Sequence, residues 1–595
     1  MDINKNIVYA LILFLAILVS YANILRNEFV WDDEFFIAEN INIREPSQIL
    51  ESFTEPSPGN LYRPLRSVFY ILNYQIWGLN IFGYHLNSLL LHFFVTLTLF
   101  FITLKLTDKI LFSFIAALLF AVHPVHTERI TNMTGTFDVF GILFLLLSFL
   151  FYIVFSKNHK KNYYFLSIVF YLLAIFSTEE ALTLILILFL YDFSFNHKFN
   201  LENTKLLAKK YVPYIAITIF YLMMRFSAVE HLGRTEAYFQ QSFFGTVLTT
   251  IKIFVLYILI LFFPSNLVIE RYVKFEASIF GIGFLVSLMT LILIFFFFIK
   301  SYKKSRILFF SVGWFFITLL PFTNLVPQIT IMAERYLYLP SFGFCILLTI
   351  LLFQLKSLEF KKIDFIKKYG KVIVFLLIAL ITLSYTVLTI ARNSEWKDNF
   401  TLLSADIEKN PYGTRMHHAI ALQYRNLGDY ENAFKHASRA IELSSKNYNA
   451  YENLGTILAY QKKYDEAIKF YKKSLELNPN YYLAINNLGL VYSYIGDFDN
   501  SVFYLKKAIA VNPKLAKAHN DLGTVYANAG NFDLAIEEIN KAIGINKYEA
   551  GYYYNLALIY ELLNEKEKAK DLLKKAIEIE PNNIKVKEKL DRLPI

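Results

Sequence analysis

The stretch NLGLVYSYIGDFDNSVFYLKKAIAVNP, from Asn487 to Pro513, is one unit of a pattern that recurs in the C-terminal part of the chain. Two amphipathic segments flank a short turn at Gly496. In each segment the apolar residues recur with the spacing of one helical face. The unit therefore predicts a helix, a turn and a second helix.

The unit recurs every 34 residues. Small residues, turn residues and prolines keep this interval: Ala421, Gly455, Gly489, Gly523 and Ala557; Gly428, Lys462, Gly496, Gly530 and Asn564; Pro479, Pro513, Lys547 and Pro581. Such a period is the tetratricopeptide signature, with about five repeats over 414–582 and half of an earlier one over 396–411. We predict an α-solenoid at 393–595 whose concave face binds an extended polypeptide or a partner protein. A simple scaffold or spacer is the alternative.

Residues 1–392 have a different composition, because long apolar runs dominate them. The whole chain of 595 residues is 56% hydrophobic and 18% charged, against about 25% charged in ordinary soluble domains. A helix needs roughly 20 apolar residues to cross a bilayer, and fewer where its neighbours shelter it. Apolar runs of roughly 13–23 residues recur at 6–25, 85–104, 110–122, 137–156, 162–177, 180–194, 211–226, 246–263, 277–299, 306–321, 336–355 and 372–391. We predict an all-α chain with about eleven spans. One of 211–226, 246–263 and 277–299 is then not a full span, and Lys252 favours 246–263.

The net charge of +10 records orientation rather than nucleic-acid binding. Residues 393–595 contribute only +1, whereas 19 Lys/Arg and 4 Asp/Glu lie in five loops, 105–109, 157–161, 198–210, 300–306 and 356–371. Basic loops face the cytoplasm. The loops 26–84, 123–136, 226–245 and 322–335, and the repeats, are then expected on the outer side. The lone cysteine, Cys345, excludes a disulfide framework and Cys-based metal sites.

Two adjacent carboxylates, Asp32 and Asp33, follow the first span. One carboxylate can raise the pKa of its neighbour, so the pair could supply a general base. A solvated turn that caps the next helix is an equal alternative.

Arg63 and Arg66 are three residues apart, so a helix that begins at Pro64 would direct both along one face. Two guanidiniums suit a phosphate. Contact with lipid headgroups is the simpler alternative.

The second outer loop reads His123-Pro124-Val125-His126-Thr127-Glu128. His123, His126 and Glu128 could form a metal trio, but Pro124 opposes a regular helix and the spacing of a helical zinc motif is absent. Hydrogen bonding to substrate or to neighbouring loops is favoured, and no metal site is predicted. Ionisable residues at the outer ends of other spans complete the candidate substrate site: Asp138, Glu179, Arg225, Glu334 and Arg335.

The chain resembles the transmembrane-and-tetratricopeptide O-mannosyltransferases, a family of the GT-C class of lipid-phosphosugar-dependent glycosyltransferases. The blocks that carry the resemblance are WDDEFFIAEN at 31–40, LYRPLRSVFYILNY at 61–74, FGYHLNSLLLH at 82–92, AALLFAVHPVHTERI at 116–130, ERYLYLPSFGFCILL at 334–348 and RNSEWKDN at 392–399.

The resemblance implies that Asp32 or Asp33 deprotonates an acceptor hydroxyl. The donor would be a hexose, mannose by resemblance, on a polyprenyl or dolichyl phosphate, and it would be attacked with inversion. Candidates for binding the lipid phosphate are Arg63, Arg66, Arg225 and Arg335, with His123, His126 and Glu128 lining the same cavity. No cofactor beyond this donor is expected, and a divalent metal is compatible with the sequence.

Two departures from the family pattern concern charge. A Lys-Glu pair is common where this chain has Thr178-Glu179, and a basic residue commonly precedes the aspartate that matches Asp138, where this chain has Thr136-Phe137. Two alternatives to the enzyme are a non-catalytic membrane-anchored tetratricopeptide assembly factor and, more weakly, a transporter or lipid-sugar flippase. The Lys/Ile/Phe/Asn-rich composition favours a bacterial inner membrane.

Overall fold

The structure, a computed structural model, describes residues 3–57, 59, 61–195, 201–229, 242–357 and 364–593. These residues form helices and connecting loops and contain no β-strand, only an isolated bridge between Ser57 and Leu61. The predicted all-α fold is confirmed.

The chain divides into two compact units, Met1–Pro411 and Tyr412–Ile595. The helices of the first unit are α1 Ile3–Tyr21, α2 Gln48–Glu51, α3 Pro64–Trp77, α4 Ile81–Thr107, α5 Ile110–Ala121, α6 Thr127–Thr131, α7 Met133–Asn158, α8 Lys161–Ile175, α9 Leu184–Phe195, α10 Leu201–Ala228, α11 Phe243–Phe262, α12 Ile282–Lys304, α13 Arg306–Leu319, α14 Ser341–Ser357, α15 Asp364–Glu395 and α16 Asn399–Lys409. Short 3₁₀ helices at Pro124–His126, Glu179–Thr183 and Glu334–Leu337 lie in its loops.

The boundary between the units falls later than the predicted division after residue 392. Helix α16 belongs to the first unit because Asp406 accepts hydrogen bonds from the backbone N–H of Ile269 (2.6 Å) and from Arg392 (3.0 Å). The segment 396–411, predicted as half of a repeat, is therefore packed on the membrane unit.

Seven helices of the described residues are long and apolar enough to cross a membrane: Asn4–Arg26, Ile81–Thr107, Met133–Asn158, Ala208–Ala228, Phe243–Phe262, Ile282–Lys304 and Gly370–Glu395. The bent pair Ile110–Ala121 and Pro124–Thr131 would make eight. Three shorter apolar helices, Lys161–Ile175, Arg306–Phe322 and Ser341–Leu355, are further candidates. The predicted eleven spans stay a prediction. The first unit is that of a multi-pass membrane protein.

Helix α11 corresponds to the stretch that was predicted not to cross fully. In its second turn, the Thr250 hydroxyl donates to the carbonyl of Thr323, in the loop 322–335. At its C-terminal end, the Leu261 carbonyl accepts from His123, in the loop 123–136. Lys252 is paired to Glu276 (2.8 Å). The helix is long and apolar enough to cross a membrane, and its interfacial placement stays a prediction.

The second unit consists of α17 Thr414–Asn426, α18 Tyr430–Leu443, α19 Tyr448–Tyr460, α20 Tyr464–Leu477, α21 Tyr482–Tyr494, α22 Phe498–Val511, α23 Ala516–Asn528, α24 Phe532–Ile545, α25 Ala550–Leu562, α26 Lys566–Ile579 and α27 Ile584–Arg592. The 34-residue period has a backbone cause. Each turn between paired helices has a left-handed residue, namely Gly428, Lys462, Gly496, Gly530 and Asn564, with φ between 61° and 81°. Glycine and asparagine adopt this conformation most readily.

Candidate active site

The two aspartates of the first loop have different surroundings. Asp33 is completely buried, and its carboxylate accepts four hydrogen bonds: from the backbone N–H groups of Val30 (3.4 Å), Met133 (3.2 Å) and Thr134 (2.6 Å), and from the Thr134 hydroxyl (2.6 Å). Two of the backbone donors open helix α7. Burial raises the pKa of Asp33 to about 7, although these hydrogen bonds act in the opposite direction. Asp32 is only half-buried, so it is the more accessible carboxylate of the pair.

Arg63 and Arg66 lie where the sequence predicts. Helix α3 begins at Pro64, and both guanidiniums donate to the same Asp138 oxygen, at 2.8 and 3.2 Å. Arg63 also donates to Glu179 at 2.5 Å. Burial lowers the pKa of Arg63, but the two carboxylates outweigh it and raise the pKa. The structure thus brings four predicted site residues into one ion-pair cluster.

The prediction of site residues omitted Glu180 and its partner Arg129 from this cluster. The Arg129 guanidinium pairs with the second oxygen of Asp138 and, at 2.5 Å, with Glu180. Its side chain is 3% exposed. Asp138 therefore contacts three arginines. No basic residue stands at Thr136 or Phe137, and these three arginines supply the positive charge beside Asp138 instead. Arg129 lies in the block AALLFAVHPVHTERI at 116–130, and this position was the signal that could have identified it.

Glu128 and Arg335 connect two of the sequence blocks that carry the family resemblance, 116–130 and 334–348. Glu128 accepts from the backbone N–H of Arg335 at 2.8 Å and from its guanidinium at 2.5 Å. Burial lowers the pKa of Arg335, but Glu128 and, to a smaller extent, Asp32 raise it overall. Arg129 donates to the Arg335 carbonyl at 2.9 Å. Arg335, on which the charge of Asp32 acts, is thereby connected to the cluster around Asp138.

His123 and His126 are completely buried and hydrogen-bonded to protein groups rather than to solvent. His123 contacts the Leu261 carbonyl at 3.1 Å, and His126 contacts the Ser341 hydroxyl at 2.8 Å. Pro124 opens a 3₁₀ turn here, and the chain bends by 52° between α5 and the next helical segment, as the sequence predicts. Their role in lining a substrate cavity stays a prediction.

Glu334 and Arg225 are also buried. Glu334 accepts from the backbone N–H of Val268 at 2.7 Å and pairs with Arg271 at 3.4 Å. Burial raises the pKa of Glu334 to about 8. Arg225 lies one helical turn beyond Tyr221, whose hydroxyl donates to the carbonyl of Tyr62 (3.1 Å), next to Arg63. Glu334 therefore fixes the loop after α11, and the end of α10 lies beside the arginine cluster.

A cleft that is open to solvent is lined by Arg63 and Arg66. The Arg66 guanidinium lies over the rings of Phe36 and Tyr70, at 5.4 and 5.5 Å from their centroids. Amide, hydroxyl and carboxylate groups line part of the cleft, at Asn40, Asn42, Gln48, Glu51, Ser52 and Glu55, and apolar side chains line the rest, at Ile43, Pro56, Leu61 and Ile71. Such a wall offers donors and acceptors to a polyhydroxylated ligand, and the arginines offer charge to an anion.

The described residues contain no group of three His, Cys, Asp or Glu side chains arranged to hold a metal ion. Glu128, the carboxylate of the possible trio, is paired with Arg335 instead. Metal dependence stays untested.

Family models identify the repeats. Models described as tetratricopeptide repeat match residues 414–480 and 447–514, 486–550, and 550–583. Among solved structures, YrrB, described as a tetratricopeptide protein with an unusual peptide-binding site, is 24% identical and covers 32% of this chain and 97% of its own, with a TM-score of 0.24. TTC0263 of Thermus thermophilus is 21% identical over 30% of this chain and 97% of its own, with a TM-score of 0.29.

Relatives named protein O-mannosyl-transferase match most of the chain. F38B6.6 of Caenorhabditis elegans is 26% identical over 464 residues, which are 74% of this chain and 63% of that protein. Human TMTC1 is 24% identical over 498 residues, covering 73% and 55%. Mouse TMTC2 is 36% identical over 145 residues, covering 23% and 17%. The chain thus spans less than two thirds of the length of these relatives. Over nearly three quarters of its own length, it is similar to the transmembrane-and-tetratricopeptide protein O-mannosyltransferases, as the sequence predicts.

Proposed function

We propose that the protein is an integral-membrane glycosyltransferase that moves a hexose, mannose by its relatives' names, from a polyprenyl or dolichyl phosphate to a hydroxyl of a polypeptide. The observation that carries the proposal is the cluster in which Arg63, Arg66 and Arg129 share the carboxylate of Asp138. Asp32 is half-buried in the same loop as Arg63, and its charge acts on Arg335, whose carbonyl accepts a hydrogen bond from Arg129. A base beside preorganised cations is what such a transfer requires.

Asp32 is the proposed base. It would take the proton of the acceptor hydroxyl while that oxygen attacks the anomeric carbon from the face opposite the phosphate. The bond between the anomeric carbon and the phosphate oxygen breaks, and the lipid phosphate departs with the electron pair, so the configuration inverts. Asp33 is unsuited to this role because four donors already occupy its buried carboxylate. It positions the loop instead.

Arg63 and Arg66 are the proposed phosphate ligands. Their carboxylate partners hold both side chains in place before substrate arrives, so little reorganisation is needed when charge develops on the leaving phosphate. The adjoining cleft, with its amides, hydroxyls and carboxylates, would receive the sugar. Arg335 would face the reacting centre from the side of Asp32.

The tetratricopeptide unit is the proposed binding site of the polypeptide acceptor. We place it, with the acidic loop, on the outer side of the membrane because the basic loops mark the opposite side. A bacterial inner membrane is our preferred location, on composition.

The decisive experiment incubates the purified full-length protein with polyprenyl-phosphate mannose and other polyprenyl-phosphate hexoses, with and without EDTA. Candidate acceptor proteins are then analysed by mass spectrometry. Asp32→Asn should reduce transfer by about 10³-fold or more, because the base is lost. Asp108→Asn, at an exposed carboxylate, is the matched control and should retain full transfer.

A second variant tests the phosphate ligands. Arg63→Lys cannot keep both the Asp138 and Glu179 contacts, and we expect the KM for the donor to rise about tenfold. Absence of transfer from every donor by the wild-type protein would favour the assembly-factor alternative. In that case immunoprecipitation should recover partners through the repeats.

A further inference from the structure

The block RNSEWKDN, residues 392–399, has no part in the chemistry proposed above, yet it lies against the acidic loop. The side-chain oxygen of Asn399 accepts a hydrogen bond from the backbone N–H of Trp31 at 2.7 Å. Its amide nitrogen donates to Glu34 Oε1 at 2.6 Å. The two contacts bracket Asp32 and Asp33. The backbone N–H of Glu28 also donates to the carbonyl of Lys397, at 2.9 Å.

The backbone within this bracket is strained. Trp31 has φ = 57°, a left-handed conformation that bulky residues rarely adopt. Strained residues persist only where their surroundings over-determine them, and they cluster at functional sites. Here the restraint acts from two directions. Asp33 is fixed to the start of α7, and the N–H of Trp31 is fixed to Asn399.

The side-chain type matters because the two contacts have opposite polarity. Trp31 N–H needs an acceptor, whereas the Glu34 carboxylate needs a donor. A carboxamide supplies both at one short side chain, but an aspartate supplies acceptors only.

We propose that Asn399 is a positioning residue for the catalytic carboxylate: by bridging Trp31 and Glu34 it holds Asp32 in the geometry that proton abstraction requires. The role rests on the proposed function of Asp32. Asn399 is also the first residue of helix α16, but that helix has its own cap. The neighbouring Asp398 accepts from the backbone N–H of Thr401 at 2.8 Å. Capping and bridging can therefore be separated by mutation.

The test compares donor kinetics of Asn399→Ala with those of Asp398→Ala in full-length protein. Asn399→Ala should lower kcat about 10- to 100-fold, the cost of a misplacement of about 1 Å, with the donor KM unchanged within about twofold. Asp398→Ala removes the helix cap without touching the bracket and should keep kcat near the wild-type value. Equal kcat values for the two variants would overturn the proposal.

A polarity swap supplies the rescue. Asn399→Asp alone keeps an acceptor for the Trp31 N–H but places a second carboxylate against that of Glu34. The two negative charges repel each other, so kcat should fall. Combining it with Glu34→Gln restores a donor–acceptor pair with the direction reversed, and at least half of the lost kcat should return. Failure of the double variant to recover, in protein that elutes as a single species, would refute the bridging role.

Hydrogen–deuterium exchange separates this proposal from the proposed function. Asn399→Ala should accelerate exchange at residues 28–36 and Asp398→Ala should not, whether or not any sugar is transferred. If the wild-type protein transfers nothing, the function fails, and the exchange data still decide whether the bracket holds the loop. Unchanged exchange at 28–36 in Asn399→Ala would overturn the bracket itself.

Discussion

Asp32 and Asp33 are neighbours in sequence, but their environments divide them into different roles. Asp33 closes the start of helix α7 with its carboxylate and is withdrawn from solvent, whereas Asp32 stays reachable. Spacing in the sequence left a catalytic pair and a capping turn equally open. In the structure Asp33 is buried against the start of α7 rather than solvated, and the catalytic role of Asp32 stays a proposal.

The raised pKa of Asp33 predicts a pH-dependent stability that Asp33→Asn should lose. The folded-state pKa of about 7 exceeds the value of about 3.9 in an unfolded chain. The folded state therefore binds the proton more tightly, and its stability falls as pH rises from about 4 to about 7, by at most about 4 kcal/mol.

Thermal melting of both proteins in detergent at pH 5, 6, 7 and 8 measures this effect. Other titrating groups, such as Glu334, contribute equally to both proteins and cancel in the difference. The wild-type midpoint should decline relative to that of Asp33→Asn up to about pH 7 and then run parallel. A constant offset across the whole range would contradict the prediction.

At the scale of helices, the sequence predicts best where one residue fixes the backbone. Pro64 begins α3 because its fixed φ suits a first helical position. Arg63, the residue before the helix, and Arg66 in its first turn then reach the same Asp138 oxygen. Pro124 likewise predicts the bend after α5. The ion pairs of these arginines could not be predicted, because Asp138 and Glu179 come from separate helices whose packing no local pattern specifies.

Close helix packing in the repeats predicts opposite effects for two glycine-to-alanine changes in the same repeat. A Cβ on Gly523 would lie 2.6 Å from the Ile539 side chain, so Gly523→Ala should destabilise the repeat unit by about 1–3 kcal/mol. Gly544 is an exposed position of helix α24, and a Cβ there would have no atom within 4 Å. Gly544→Ala should stabilise by up to about 1 kcal/mol through helix propensity.

Pulse proteolysis of the full-length protein across a urea series measures both effects, because cleavage in the repeats reports their unfolded fraction. Gly544→Ala is the internal control, since it adds the same methyl group without a clash. Equal urea midpoints for the two variants would show that the Gly523 position, which recurs every 34 residues, tolerates a larger side chain.

For the whole molecule, the distribution of charge along the chain predicts the orientation in the membrane. The composition predicts that the chain crosses the membrane several times. Periodicity predicts the repeats because each repeat uses only local contacts. The number of spans is harder to predict, because short helices such as α8 and α13 are sheltered by neighbours and need not reach the usual length. Helix α11 shows the same limit: its composition and length suit a span, and its interfacial placement rests on the charges of the neighbouring loops alone.

The orientation predicts which sites a membrane-impermeant maleimide reaches in intact cells. In a Cys345→Ala background, Glu55→Cys in the first loop and Asn480→Cys in the repeats should be labelled without permeabilisation. Lys160→Cys, in a basic loop, should be labelled only after the membrane is opened. Labelling of Lys160→Cys in intact cells, with Asn480→Cys protected, would reverse the orientation.

The bracket around the acidic loop has a consequence for biosynthesis. Trp31 leaves the ribosome 368 residues before its partner Asn399. At roughly 5–20 residues per second, the loop would wait roughly 20–70 s for that side chain. Asn393, which contacts Ser20 and Asn27 at the end of the first span, arrives equally late. A nascent chain thus carries Asp32 long before Asn399 can hold its loop in place, and catalytic competence would switch on only when synthesis of the membrane unit is nearly complete.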